Sequence, residues 1–108
     1  MTLAFYKPPR FMRIEHYINK IFRVKGYKLV FKSLKRIDAF GQTMHDEKVI
    51  EIDLKTGIQP AKVFVHELLH YSYPSMCERE VTRLEGKIWD RLTVNQIYLL
   101  YKRMISSA

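Results

Sequence analysis

Residues 60–71 constrain this chain more than any other segment, because a helix over them has almost no charged surface to turn toward water. Val63, Phe64, Val65, Leu68, Leu69 and Tyr71 leave only Lys62, Glu67 and two histidines as strongly polar side chains. Pro60 suits a helix start, where a missing N–H goes unneeded. A helix this apolar must be enclosed on more than one side, so the rest of the chain has to supply walls around it. At 108 residues there is room for one core, and residues 1–108 are expected to form a single domain with no separate binding or regulatory unit.

The flanking patterns supply those walls and predict an α+β fold: a short, mostly antiparallel or mixed sheet packed against an N-terminal helix and the 60–71 helix. After a lead containing Pro8 and Pro9, Phe11, Ile14, Ile18, Ile21 and Phe22 recur at helical spacing, and Gly26 marks the end of that helix. Tyr27, Leu29 and Phe31 alternate with polar residues as in a half-buried strand. Residues 37–43 read as a further extended segment, interrupted or bent at Gly41. Ile50, Ile52 and Leu54 alternate with Val49, Glu51 and Asp53, the clearest strand, closed by Thr56 and Gly57. Beyond Pro74, Val81, Leu84, Ile88 and Leu92 form the stripe of a third helix. Thr93 with Gln96 has capping-box spacing for a fourth, with Val94, Ile97, Tyr98, Tyr101, Met104 and Ile105 turned inward.

Chemistry concentrates on the central helix. His66 and His70 stand four residues apart, so their imidazoles project from one face about a turn from each other and can share an ion. Zn2+ fits such a pair. Glu67 projects at a neighbouring angle, placed to take a proton from a zinc-bound water without being a ligand. Catalytic zinc keeps three protein ligands and one open position, so a third ligand is expected downstream. Glu78 and Glu80 are the leading candidates, with Glu85 and Cys77 behind them. Glu78 shares a helical face with Thr82, Glu85 and Trp89, yet Ser75 stands at capping-box spacing before it, which would turn its carboxylate to the backbone. His45, Tyr71 and Tyr73 are chemically able to support a developing oxyanion. An extended substrate would lie beside residues 40–44 if these form an exposed edge strand.

The segments His66-Glu67-Leu68-Leu69-His70-Tyr71 and Glu78-Arg79-Glu80-Val81-Thr82-Arg83-Leu84 together resemble a very small HExxH zinc metallopeptidase of the gluzincin type, similar to phage and bacterial peptidase-like proteins of the ImmA/IrrE class. The resemblance spans roughly residues 10–92, and only these two segments are specific. It implies a zincin-like domain that hydrolyses peptide bonds in a peptide or protein substrate, as an endopeptidase. In that group the first glutamate of a motif resembling Glu-x-Glu-Ala-Asn/Asp supplies the third ligand, which by position is Glu78. Val81 and Thr82 occupy the last two positions, so a hydroxyl stands where the motif carries Asn or Asp.

The formal net charge of +8 is unevenly placed. Within residues 1–38, Lys7, Arg10, Arg13, Lys20, Arg23, Lys25, Lys28, Lys32, Lys35 and Arg36 are opposed only by Glu15 and Asp38. A basic face over residues 7–36 attracts nucleic acid, an acidic protein partner or an anionic membrane surface, or simply keeps a protein in solution. A single cysteine excludes an intrachain disulfide framework. With no signal-peptide pattern in residues 1–10 and no apolar run that spans a bilayer, the expectation is a soluble protein of the cytoplasm or another intracellular compartment.

Overall fold

Residues 13–55 and 59–107 are described by a computed structural model; Lys7, Pro8, Pro9, Arg10, Phe11, Thr56 and Gly57 lie outside them. Helix α1 (Ile14–Arg23) buries Tyr17, Ile18 and Ile21, with Ile14 and Phe22 at the margin of the stripe. Tyr17 joins that stripe by packing edge-on against Tyr73, 5.5 Å between ring centres. The chain leaves α1 through Val24, and Gly26 turns it at φ 92°, a conformation that costs glycine nothing.

Three strands follow, β1 (Lys28–Phe31), β2 (Gly41–Met44) and β3 (Val49–Ile52), in the spatial order β1-β3-β2. β1 runs parallel to β3 and β2 antiparallel to it, so the sheet is mixed and β2 is an edge strand. The expected extended segment over 37–43 begins later than its pattern implies. A 3-10 turn occupies Lys35–Ile37, Asp38 takes a left-handed conformation at φ 51°, and Gly41 starts the strand instead of bending it. Glu51 and Asp53 are buried, against the alternation that put them on a wet face. Each has partners that make burial tolerable: Gln42 Nε2 donates to Glu51 Oε1 at 2.6 Å, and the Leu34 amide donates to Asp53 Oδ2 at 2.7 Å. Leu54 is exposed, because β3 stops at Ile52.

Helix α2 (Pro60–Ser72) is the hub. It packs against β2, β3, α1, α3 (Glu78–Arg91) and α4 (Val94–Ser107), which is the many-sided enclosure its composition demands. Ala61, Phe64, Val65, Leu68 and Leu69 have no accessible surface, and each of the larger ones contributes about 1.5–3 kcal/mol by burial. Val81, Leu84 and Ile88 form the core stripe of α3 as the periodicity predicts. The capping box before α4 is present: Gln96 Oε1 accepts from the Thr93 amide at 2.8 Å and the Thr93 hydroxyl accepts from the Gln96 amide at 3.1 Å. The inward face of α4 differs from expectation. Leu100 and Met104 are buried, whereas Val94, Tyr98 and Ile105 are exposed. This helix carries apolar residues on two faces, and only one meets α2 and β1. Among the described residues no helix is long and apolar enough to cross a membrane.

Candidate metal centre

The site is assembled by the abrupt reversal between α2 and α3. Tyr73 closes α2, with its amide bonded to Leu69 O at 2.9 Å. Pro74 and Ser75 then turn the chain, and the Met76 amide donates back to Tyr73 O at 3.0 Å. Buried Met76 anchors the turn, Cys77 is the N-cap residue, and Glu78 becomes the first residue of α3. A carboxylate is favoured there by the positive end of the helix. The Ser75 to Glu78 capping box does not form: α3 has no side-chain cap, and the Glu78 carboxylate is turned to α2.

His66, His70 and Glu78 each present one ligand atom, and the three lie within 4.8 Å of one another. Glu78 Oε2 is 2.9 Å from His66 Nε2, and Glu78 Oε1 is 2.7 Å from His70 Nε2. A tetrahedral zinc with bonds of about 2.0–2.2 Å sets its ligand atoms roughly 3.3 Å apart. The exposed Glu78 side chain can yield that half ångström, so two imidazoles and a carboxylate make a donor set suited to Zn2+ or a similar divalent ion. Burial works against charge on His66, but its hydrogen bond to Glu85 and the charges of Glu78, Glu67 and Glu85 outweigh that and raise its pKa. For Glu78, partial burial is outweighed by the hydrogen bond to His70 and the two histidine charges, and its pKa falls.

Glu80 is committed elsewhere, to a bidentate pair with Arg83 on its own helix, with one contact at 3.1 Å. Cys77 is exposed and outside the cluster. Glu85, the other acidic alternative, places Oε1 2.6 Å from His66 Nδ1, on the ring edge facing away from the cluster.

Glu67 is only 5% exposed and is held from the sheet side. The Thr43 hydroxyl of β2 donates to Glu67 Oε1 at 2.7 Å, with the Glu67 main-chain oxygen 3.1 Å away. Burial raises the Glu67 pKa, against the lowering effects of Thr43, His66 and His70. The approach of β2 to α2 is possible because residue 41 is glycine. A Cβ there would stand 2.9 Å from both Glu67 Cγ and Val63 Cγ1. Gly41→Ala should therefore destabilise the protein by about 1–3 kcal/mol as β2 is pushed outward. A denaturant melt equal to that of the native chain would show that the strand yields freely.

A cavity of about 840 Å³ runs along α2 beside these groups. Gln59, Lys62, Val63, His66, Glu67 and His70 line it from α2, Glu78, Glu85 and Trp89 from α3, and residues 39–43 with His45 from the sheet side. No family model, curated protein or solved structure matches the chain. His45 reaches the cavity, but its Nε2–H is given to the His70 carbonyl at 2.8 Å. Tyr71 and Tyr73 are not brought there. Tyr71 packs edge-on to Tyr27 and face-on to His45, with its hydroxyl beside Gly26, and Tyr73 packs on Tyr17. The sequence pointed to residues 40–44 as a substrate edge but not to Thr43 as the partner of Glu67, and it did not single out Lys62, Val63 or Trp89 as lining the site. The α3 members were signalled by the spacing of Glu78, Glu85 and Trp89 along one face. Thr43 had no local signal, since strand pairing places it.

Proposed function

We propose that this chain is a zinc-dependent peptidase of the HExxH gluzincin type, in a minimal zincin-like domain. The observation that carries the reading is the Glu67 carboxylate opening onto the same cavity as a three-ligand cluster. Bound Zn2+ would supply Lewis acidity, polarising the scissile carbonyl and acidifying a water. Glu67 takes the proton of the attacking water and passes it to the leaving amine. Thr43 fixes one of its oxygens and leaves the other for this task. Among the described residues the outer edge of β2 pairs with no strand and borders the cavity, so an extended peptide can pair with it. A zinc held only for stability normally has four protein ligands; among the described residues the cluster has three, which favours catalysis over a noncatalytic zinc module.

The test is metal analysis with a cleavage assay on an unfolded protein. About one zinc per chain is expected, with chelation lowering the melting temperature and stopping hydrolysis, and zinc restoring both. Reproducible absence of bound zinc after saturation, with unchanged melting, would reject the site.

A second reading concerns a partner. Among the described residues, Lys20, Arg23, Lys25 and Lys28 have no carboxylate partner, and they surround the turn from α1 to β1. Arg103 adds a further cation by donating to Ile21 O and Phe22 O at 3.3 and 2.8 Å. This turn adjoins Tyr71, whose ring stacks on His45 at the cavity rim. A nucleic-acid backbone lying on it would place bound proteins near the cavity. A labelled oligonucleotide should bind with an affinity that falls steeply with salt, and Lys25→Glu with Lys28→Glu should shallow that slope by about two. Tighter binding to an acidic peptide or anionic vesicles than to the oligonucleotide, or no binding at low salt, would defeat this reading.

A further inference from the structure

We infer that Glu85 is the positioning residue for His66, the carboxylate that sets its tautomer and ring orientation for metal binding; this rests on the zinc reading above. Two carboxylates from one face of α3 address a single imidazole of α2. Glu78 meets Nε2 at 2.9 Å, and Glu85, two turns farther along α3, meets Nδ1 at 2.6 Å. The Glu85 side chain is only 16% exposed and that of His66 15%, so water competes little for this bond. With Nδ1–H donated to Glu85, the Nε2 lone pair is left for the ion, and the ring cannot rotate without breaking the bond.

Other assignments for Glu85 fit less well. Its oxygen lies on the Nδ1 edge, so it cannot share an ion with His66 Nε2. Its second oxygen is 3.9 Å from Lys62 Nζ, a partly exposed contact that holds the carboxylate loosely from the outer side. Thr82 occupies the motif position where Asn or Asp is expected, but its hydroxyl points to Glu78 at 3.4 Å and not to a histidine. Among the described residues no carboxylate faces His70 Nδ1, so the two histidines are held unequally.

That inequality provides an internal control. Zinc affinity of wild type, Glu85→Gln, Glu85→Ala and Glu78→Gln would be measured by competition with a chelating dye, with folding checked by circular dichroism. Ring nitrogen NMR of the zinc-loaded proteins would read the tautomers of His66 and His70. Glu85→Ala should weaken zinc by about 10–100-fold and Glu85→Gln by less, because an amide oxygen still accepts from Nδ1–H. The His66 Nδ1 proton should show a strong hydrogen bond in wild type, lost in Glu85→Ala, with His70 unchanged. If Glu85→Ala does not fold, the isosteric Glu85→Gln carries the test through the weakened His66 proton signal. Wild-type zinc affinity and an unaltered His66 signal in the variants would overturn the proposal. Losses in both Glu85 variants as severe as in Glu78→Gln would overturn it too, by making Glu85 a ligand. Failure of the zinc reading is distinguishable, since wild type itself would then take up no zinc and the proposal would fall with it.

Discussion

Glu67→Gln should lower hydrolysis of an unfolded protein by about 10²–10⁴-fold while leaving zinc content unchanged. The amide keeps the size of the side chain and can still accept the Thr43 hydroxyl, so β2 and α2 stay in place. It cannot take a proton from water. Stability should move the other way. Burial raises the Glu67 pKa above the ordinary carboxylate value, so the folded state favours the protonated form. Its favourable contribution is present below the unfolded value and is lost as pH rises through the folded one. Wherever the pH leaves this buried carboxylate ionised, its charge opposes folding, and there the neutral amide should raise the melting temperature of the metal-free protein. Inactivation accompanied by stabilisation is the pattern of a functional group kept at a cost to the fold. Undiminished cleavage in a preparation free of other proteases would remove Glu67 from the mechanism, and loss of zinc in the variant would make it a ligand.

The legible parts of this molecule were those written in short-range spacing. Apolar crowding in residues 60–71 foretold the enclosure of α2, and the spacing of His66 and His70 foretold a shared face. The Thr93 and Gln96 cap and the stripe of Val81, Leu84 and Ile88 were local in the same sense. Long-range pairing was not legible. Gly41 reads as a bend until β2 is seen pressed on Glu67, where any Cβ would collide. Glu51 and Asp53 read as a solvent face because their partners, Gln42 and the Leu34 amide, come from other segments. Helix α4 offered two apolar faces, and the choice between them belongs to its neighbours α2 and β1. Glu78 lay between, since its two possible roles depended on how tightly the chain turns at Pro74.

The role of Glu78 separates from that of Glu80 in paired variants. Glu78→Gln should weaken zinc by more than about 100-fold, beyond what loss of an outer hydrogen-bond partner costs, because a charged ligand is replaced by a neutral one. Glu80→Gln should leave zinc affinity near wild type, since that carboxylate serves Arg83. Helix content should hold in both, because neither residue accepts a cap from Ser75. The metal-free protein gives a second readout with a defined sign. The depressed pKa of Glu78 means its contribution is present above the ordinary carboxylate range and is lost as pH falls through the folded value. The raised pKa of His66 means its contribution is present below the ordinary histidine value and is lost as pH rises through the folded value. Wild type without metal should therefore gain stability in the mildly acidic interval between those limits, and Glu78→Gln should erase much of that gain. Zinc affinity should run the opposite way, rising with pH because metal ligands bind in their deprotonated forms. Near-normal zinc binding in Glu78→Gln with severe loss in Glu80→Gln would put Glu80 at the ion, and would require α3 to turn by more than a quarter of its circumference from the arrangement seen.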